Sequence, residues 1–258
     1  MALFTIIIIG YIGACFGSFA YLVVCRFSPD QPILPYLSSI LYRRSFCPNC
    51  SHKLTWFALF PIFSWIIQKG RCWHCSHNIP CAYPLVEIAS ALFFVIILEY
   101  YAINYWSIAL LMLGLLFFIL SAIDFRYYLL PDIFTLLIAI IGATYCLLGW
   151  STISIRDALI GVVFGALLLG LPAISYFYYT KHEGLGRGDI KLLATLGFWI
   201  HYTQLPLLLL IASCFGLIYV IIINRSIVLL FNRALMQEKR IPFGPFILFS
   251  AYMILLTY

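Results

Sequence analysis

Residues 105–132 read YWSIALLMLGLLFFILSAIDFRYYLLPD. No charged side chain precedes Asp124, so 105–123 is one uninterrupted apolar run. A helix rises about 1.5 Å per residue, which makes this run about 28 Å long, close to the roughly 30 Å of a bilayer's hydrocarbon core. The stretch predicts a transmembrane helix. It also predicts a carboxylate at the point where that helix meets water.

The rest of the chain agrees with a membrane setting. Its 258 residues are 64% hydrophobic and only 9% charged, with a mean hydropathy of +1.05. A soluble globular domain carries about 25% charged residues. The expected fold class is therefore all-α, a polytopic integral membrane protein. Apolar segments run at about 2–25, 83–101, 105–123, 130–149, 157–180, 189–203, 205–223 and 242–258, about eight transmembrane helices. Ala2–Val24 lacks a basic leader and a small-residue cleavage site, so it reads as a retained helix. No internal repeat or low-complexity segment is present. The net charge of +6 is small, and no nucleic-acid partner is expected.

With eight crossings, the connections 26–82, 124–129, 181–188 and 224–241 share one side. Together with Lys191 they hold 14 of the 15 basic residues, among them Arg43, Arg44, Arg233, Lys239 and Arg240; Arg156 alone falls on the other side. The positive-inside rule makes the basic side cytoplasmic and places both termini outside. Leu54–Gln68 (LTWFALFPIFSWIIQ) is short and interrupted by Pro61, so it reads as an amphipathic or re-entrant segment rather than a crossing.

The long connection carries CPNC at 47–50 and CWHC at 72–75. Two CxxC pairs at this separation point to a four-thiolate zinc site in a reducing compartment, made of Cys47, Cys50, Cys72 and Cys75. Four filled positions leave none for a catalytic water, so the zinc reads as structural. Free or redox-active thiols, or a ligand swap with His52, His74 or His77, are the alternatives. Cys15, Cys25, Cys81, Cys146 and Cys214 read as small hydrophobic residues.

The acidic residues divide in two. Asp30 and Glu238 sit in hydrophilic loops, and Glu99 and Asp157 lie near helix ends, where a solvated charge suffices. Asp124 is different. It closes an apolar helix, where the helix dipole disfavours an anion, and ionisable groups at membrane depth mark functional sites. Asp189, in GLGRGDIKLLATLG (184–197), opens a helix on the same expected side and is also explained as an N-terminal cap. Two carboxylates brought together share a proton, so that one activates water while the other polarises a carbonyl. Gly186 and Gly188 let the backbone approach a neighbouring helix or an extended peptide. Asp132 follows Pro131 and reads as a helix-start acid or as support for the site. Glu87, one turn into its helix, complements the helix dipole or contacts a basic peptide or a cofactor amine.

These motifs resemble a known family. GRGD (186–189) fits the GxGD signature of intramembrane aspartyl proteases. SAIDFRYYLLPD, the two CxxC pairs, GSF (17–19), GRC (70–72), YPLVE (83–87) and IPFGP (241–245) occur in the order found in bacterial type IV prepilin peptidases. The resemblance implies an inner-membrane enzyme that cleaves the basic leader from prepilins and pseudopilins after a glycine, at the cytoplasmic face. Many members then methylate the new N-terminus with S-adenosylmethionine. It implies that Asp124 and Asp189 are catalytic and that the four cysteines hold zinc. The substrates enter from the lipid bilayer and feed a pilus or secretion assembly machinery. Two departures stand out: Arg126 occupies a position where many relatives carry a second acid, and Ala82 precedes the Tyr of YPLVE where Arg is common. No glycine-rich dinucleotide fingerprint occurs, so S-adenosylmethionine rests on the resemblance alone.

The expected organisation is a first transmembrane helix (1–25), a zinc-binding loop domain (26–82) and an aspartyl protease core (83–258). Another GxGD protease is one alternative, although those of the presenilin type lack the cysteine loop. An ion- or proton-coupled transporter is another, but it would place its acids nearer the midplane and show a repeat. A zinc-knuckle scaffold without activity would not need the aspartate pair.

Overall fold

The computed structural model describes residues 3–182, 184–230 and 241–258; Arg233, Glu238, Lys239 and Arg240 lie outside the described residues. The helices are α1 (Leu3–Arg26), α2 (Ile33–Tyr42), α3 (Phe63–Ile67), α4 (Ala82–Tyr101), α5 (Tyr105–Tyr127), α6 (Asp132–Leu147), α7 (Ile155–Thr180), α8 (Arg187–Leu196), α9 (Leu205–Leu230) and α10 (Gly244–Leu255). Single 3-10 turns occupy Trp56–Leu59 and Tyr202–Gln204. Among the described residues there is no β-strand, only isolated bridges pairing Phe46 with Lys53 and Arg71 with Asn78. The all-helical membrane fold is as expected.

The eight apolar segments fall on α1 and on α4 to α10. Among the described residues, five helical stretches are long and apolar enough to cross a membrane: α1, α4, α5, α7 and Tyr202–Ile222. The α6 and α10 helices are shorter, at 16 and 12 residues. The expected sixth span, 189–203, is not one helix: α8 stops after 10 residues. That is about 15 Å, half of the hydrocarbon core. The apolar run continues because Trp199 and Ile200 turn into the core rather than extend the helix; both are fully buried, and the Trp199 indole donates to the Ile138 carbonyl at 3.0 Å.

Within the long connection, Leu54–Gln68 forms the 3-10 turn and the single-turn helix α3, broken between them by Pro61 and by Ile62 at φ 65°. The helix α2 was not expected from the sequence. It folds back on α1: the Tyr36 hydroxyl donates to the Val23 carbonyl at 3.0 Å, and the Arg26 guanidinium donates to the Ser39 carbonyl.

The chain forms two compact units, 1–115 and 116–258, with the division inside α5. Each is built on a close helix contact made by glycines four residues apart. In the first unit Gly13 and Gly17 of α1 meet α4; a Cβ on Gly17 would lie 2.5 Å from the Ser90 side chain. In the second, Gly161 and Gly165 of α7 meet α8; a Cβ on Gly165 would lie 2.7 Å from the Leu193 carbonyl, and one on Gly197 only 2.3 Å from the Gly161 backbone. Lipid tails are as apolar as leucine, so membrane helices associate through such close backbone packing rather than through hydrophobic exclusion. The α7–α8 contact matters most for function, because α8 carries Asp189.

Candidate active site and metal centre

Asp124 lies near the C-terminal end of α5 and is buried. The local helix dipole there is unfavourable, but another helix compensates. The backbone N–H of Gly244, the first residue of α10, donates to the Asp124 carboxylate. The N-terminus of α10 thus presents its free N–H group and the positive end of its dipole to the anion. Gly244 is held tightly against it: a Cβ there would lie 2.7 Å from Oδ2 of Asp124.

Asp189 is the third residue of α8 and half-buried. It is not the cap of this helix. Gly186 occupies the N-cap with no side-chain capping bond. A Cβ on Gly186 would stand 3.0 Å from Oδ2 of Asp189, so this glycine keeps the face of the carboxylate open. The Asp124 and Asp189 carboxylates are close enough to act on one another electrostatically. Leu130 links the two glycine-lined edges: a Cβ on Gly188 would meet its Cβ at 3.1 Å, and one on Gly244 would meet its Cδ2 at 3.1 Å. The second unit therefore brings together Asp124, Asp189, Gly186 and Gly188 from the expected set. It adds Gly244 and Leu130, to which sequence reasoning assigned no role. The signal for Gly244 was present in IPFGP, where Gly-Pro opens a helix.

Asp132 opens α6, and its carboxylate pairs with Lys191 of α8 at 2.8 Å. Both partners are exposed, so this is a strap between α6 and α8. Glu87 belongs to the first unit and is buried, 6% exposed. Its carboxylate accepts the Ile62 backbone N–H at 2.7 Å and a bond from the Ser18 side chain.

The cysteine loop forms two matching knuckles. In the first, the Cys47 N–H donates to the His52 carbonyl and the Ser51 N–H to the Cys47 carbonyl, both at 2.9 Å; in the second, Cys72 with His77 and Ser76 with Cys72 repeat the pattern at 2.9 and 2.8 Å. Ser51 and Ser76 take positive φ to close the turns. The four sulfurs lie within 4.8 Å of one another, and Cys47 Sγ is 3.8 Å from Cys75 Sγ. A tetrahedral ion with metal–sulfur bonds of about 2.3 Å requires sulfur–sulfur edges of about 3.8 Å, so the donor set fits zinc. The His77 backbone N–H and then the Asn49 side chain lower the Cys75 thiol, while desolvation and the neighbouring thiols raise that of Cys50, so the clustered sulfurs divide their charge unequally. His52 and His74 stack on each other, ring centroids 4.7 Å apart; among the described residues the group able to hold a metal consists of the four cysteines.

Comparison with known proteins decides the family. Residues 11–101 match the bacterial Peptidase A24 N-terminal domain, and residues 110–221 match the type IV leader peptidase family. The chain belongs to the type IV leader peptidase family. It is 37% identical over 232 residues to a prepilin leader peptidase/N-methyltransferase of Aeromonas salmonicida, covering 89% of this chain and 77% of the relative. It is 33% identical over 245 residues to the type 4 prepilin-like proteins leader peptide-processing enzyme of Escherichia coli O78:H11, covering 90% and 87%. No solved structure matches the chain. Membership in this family makes the chain an aspartic peptidase with several membrane-spanning helices.

Proposed function

We propose that this leader peptidase cleaves prepilins and pseudopilins after a glycine, at the cytoplasmic face of the inner membrane, with Asp124 and Asp189 as the catalytic pair. Gly186 and Gly188 support the pair, Asp132 serves only as the exposed strap to Lys191 of α8, and both chain termini lie on the periplasmic side. The observation that carries this reading is the placement of two carboxylates within electrostatic reach of each other, at the ends of α5 and α8, with Gly186 and Gly244 directly against them.

The ionised aspartate takes a proton from water while the protonated one donates to the scissile carbonyl oxygen. The water oxygen bonds to the carbonyl carbon and gives a tetrahedral diol. Collapse of the diol breaks the C–N bond as the carboxyl proton of one aspartate passes to the departing amine and a diol hydroxyl gives its proton to the other aspartate, so the pair returns to its singly protonated state. Glycine at the scissile bond suits the site because the substrate helix must unwind there, and glycine weakens a helix by about 1 kcal/mol relative to alanine. The substrate's apolar segment enters from the bilayer while its basic leader stays in water, on the way to a pilus or secretion machinery.

The Cys47, Cys50, Cys72 and Cys75 cluster holds a structural zinc ion. N-methylation of the new terminus follows from the family, with S-adenosylmethionine as methyl donor. The described residues form no strand and so offer no Rossmann-type cradle for this cofactor. The test is a reconstituted reaction with a prepilin peptide, read by mass spectrometry. The expected product begins immediately after the glycine. An intact peptide, or cleavage elsewhere, would overturn the assignment.

A further inference from the structure

The 3-10 turn and α3 present an exposed apolar edge: Trp56 is 75% exposed, Phe57 73%, Phe63 58% and Ile67 65%. Their inward side is fixed. The Trp65 indole donates to the Ile79 carbonyl at 3.3 Å, and its ring fills the space beside Gly70, where a Cβ would come within 2.8 Å. Gly70 itself takes φ 66° and leads into the second knuckle, so the cysteine cluster and the exposed edge share one scaffold. Between the two turns stands Ile62 at φ 65°. This is a strained setting for a β-branched residue, and its N–H is gripped by the buried Glu87.

We propose that residues 56–67 are an interfacial anchor, seated in the headgroup boundary of the bilayer that α1 and α4 cross and pinned there by Glu87. Depth supports this. The α4 helix has 20 residues and is a candidate span. Its length of about 30 Å matches the hydrocarbon core, which puts its first residue, Ala82, at the boundary. Glu87 lies about 7 Å farther along. Interfacial segments bury their apolar face about 5–10 Å deep, and the Glu87–Ile62 bond holds this one at that level.

Charge supports it as well. From residue 31 to 86 there is no acidic residue, while Arg43, Arg44, Lys53, Lys69 and Arg71 are basic, with Lys53 and Lys69 flanking the segment. Anionic headgroups complement this composition. A second copy of the chain would instead face like charge with like charge.

The test uses the full chain in nanodiscs of phosphatidylcholine and phosphatidylglycerol. Trp56 emission is taken as the difference between wild type and Trp56→Phe, and zinc content serves as the folding control. Lipid labelled with a quencher near the headgroup is expected to reduce the Trp56 emission at least about twofold more than aqueous iodide does. Dominant quenching by iodide would mean that the edge faces water. Resistance to both quenchers would mean that protein covers it. Either result overturns the anchor. Glu87→Leu is expected to abolish the excess of lipid quenching and Glu87→Gln, which keeps an acceptor for the Ile62 N–H, to retain it. Unchanged lipid quenching in Glu87→Leu would overturn the pin.

Discussion

At the scale of single residues, glycines define the space around the two aspartates. Gly244 is a sharp example, because a methyl group there would press on the Asp124 carboxylate at 2.7 Å. Gly244→Ala is therefore expected to lower prepilin cleavage about tenfold or more without preventing membrane insertion, since misplacing a reacting group by about 1 Å costs up to about a hundredfold. Gly216→Ala, whose Cβ would meet Phe246 at an ordinary 3.6 Å, is the matched control and should leave cleavage unchanged. Cleavage rates of both variants at equal membrane expression check this. Asp132 gives the opposite expectation. Its pair with Lys191 is exposed, and surface ion pairs contribute at most about 1 kcal/mol. Asp132→Asn should change the cleavage rate by no more than about threefold, with the difference shrinking at high salt.

At the scale of elements, the contact of α7 with α8 sets where Asp189 sits. Gly161 and Gly197 meet backbone to backbone, and neither tolerates a side chain. Gly161→Val is expected to destabilise the protein by about 1–3 kcal/mol through overpacking. Gly170→Ala, with its nearest neighbour 3.9 Å away, should be neutral or stabilising by up to about 1 kcal/mol. Thermal unfolding in detergent distinguishes the two. The same scale shows how much the sequence conveyed. Seven of the eight apolar segments lie mostly on a helix of their own and the sixth only in part, because a backbone in lipid must satisfy its own hydrogen bonds. The helix ends were less legible. Hydropathy reports transfer from water, not direction, so α8 and the buried turn at Trp199 and Ile200 read as one span. The α2 helix escaped because its fixing contacts, Tyr36 to Val23 and Arg26 to Ser39, join positions 13 residues apart. The spacing of the glycine pairs was visible in the sequence, but nothing in a linear reading says which helix each faces.

At the scale of the whole molecule, the cysteine knuckles and the aspartates lie in different compact units. The motif order that revealed the family spans both, and the paired aspartates were legible as residue types. The donors that make the site habitable for Asp124 were not, because the Gly244 N–H is 120 positions away in the chain. The knuckles predict one zinc ion per chain. Cys72→Ser should remove it, as read by elemental analysis, and should open residues 43–81 to limited proteolysis, because metal binding and local folding are coupled at such sites.

The central claim is that Asp124 and Asp189 work as one catalytic unit. The most direct measurement is the single-turnover cleavage rate of a prepilin in nanodiscs for Asp124→Asn, Asp189→Asn and the double variant. Groups that act together are strongly non-additive, so each single change should lose at least about a thousandfold and the double variant should be no worse. A single variant that cleaves within a few-fold of wild type would contradict the account.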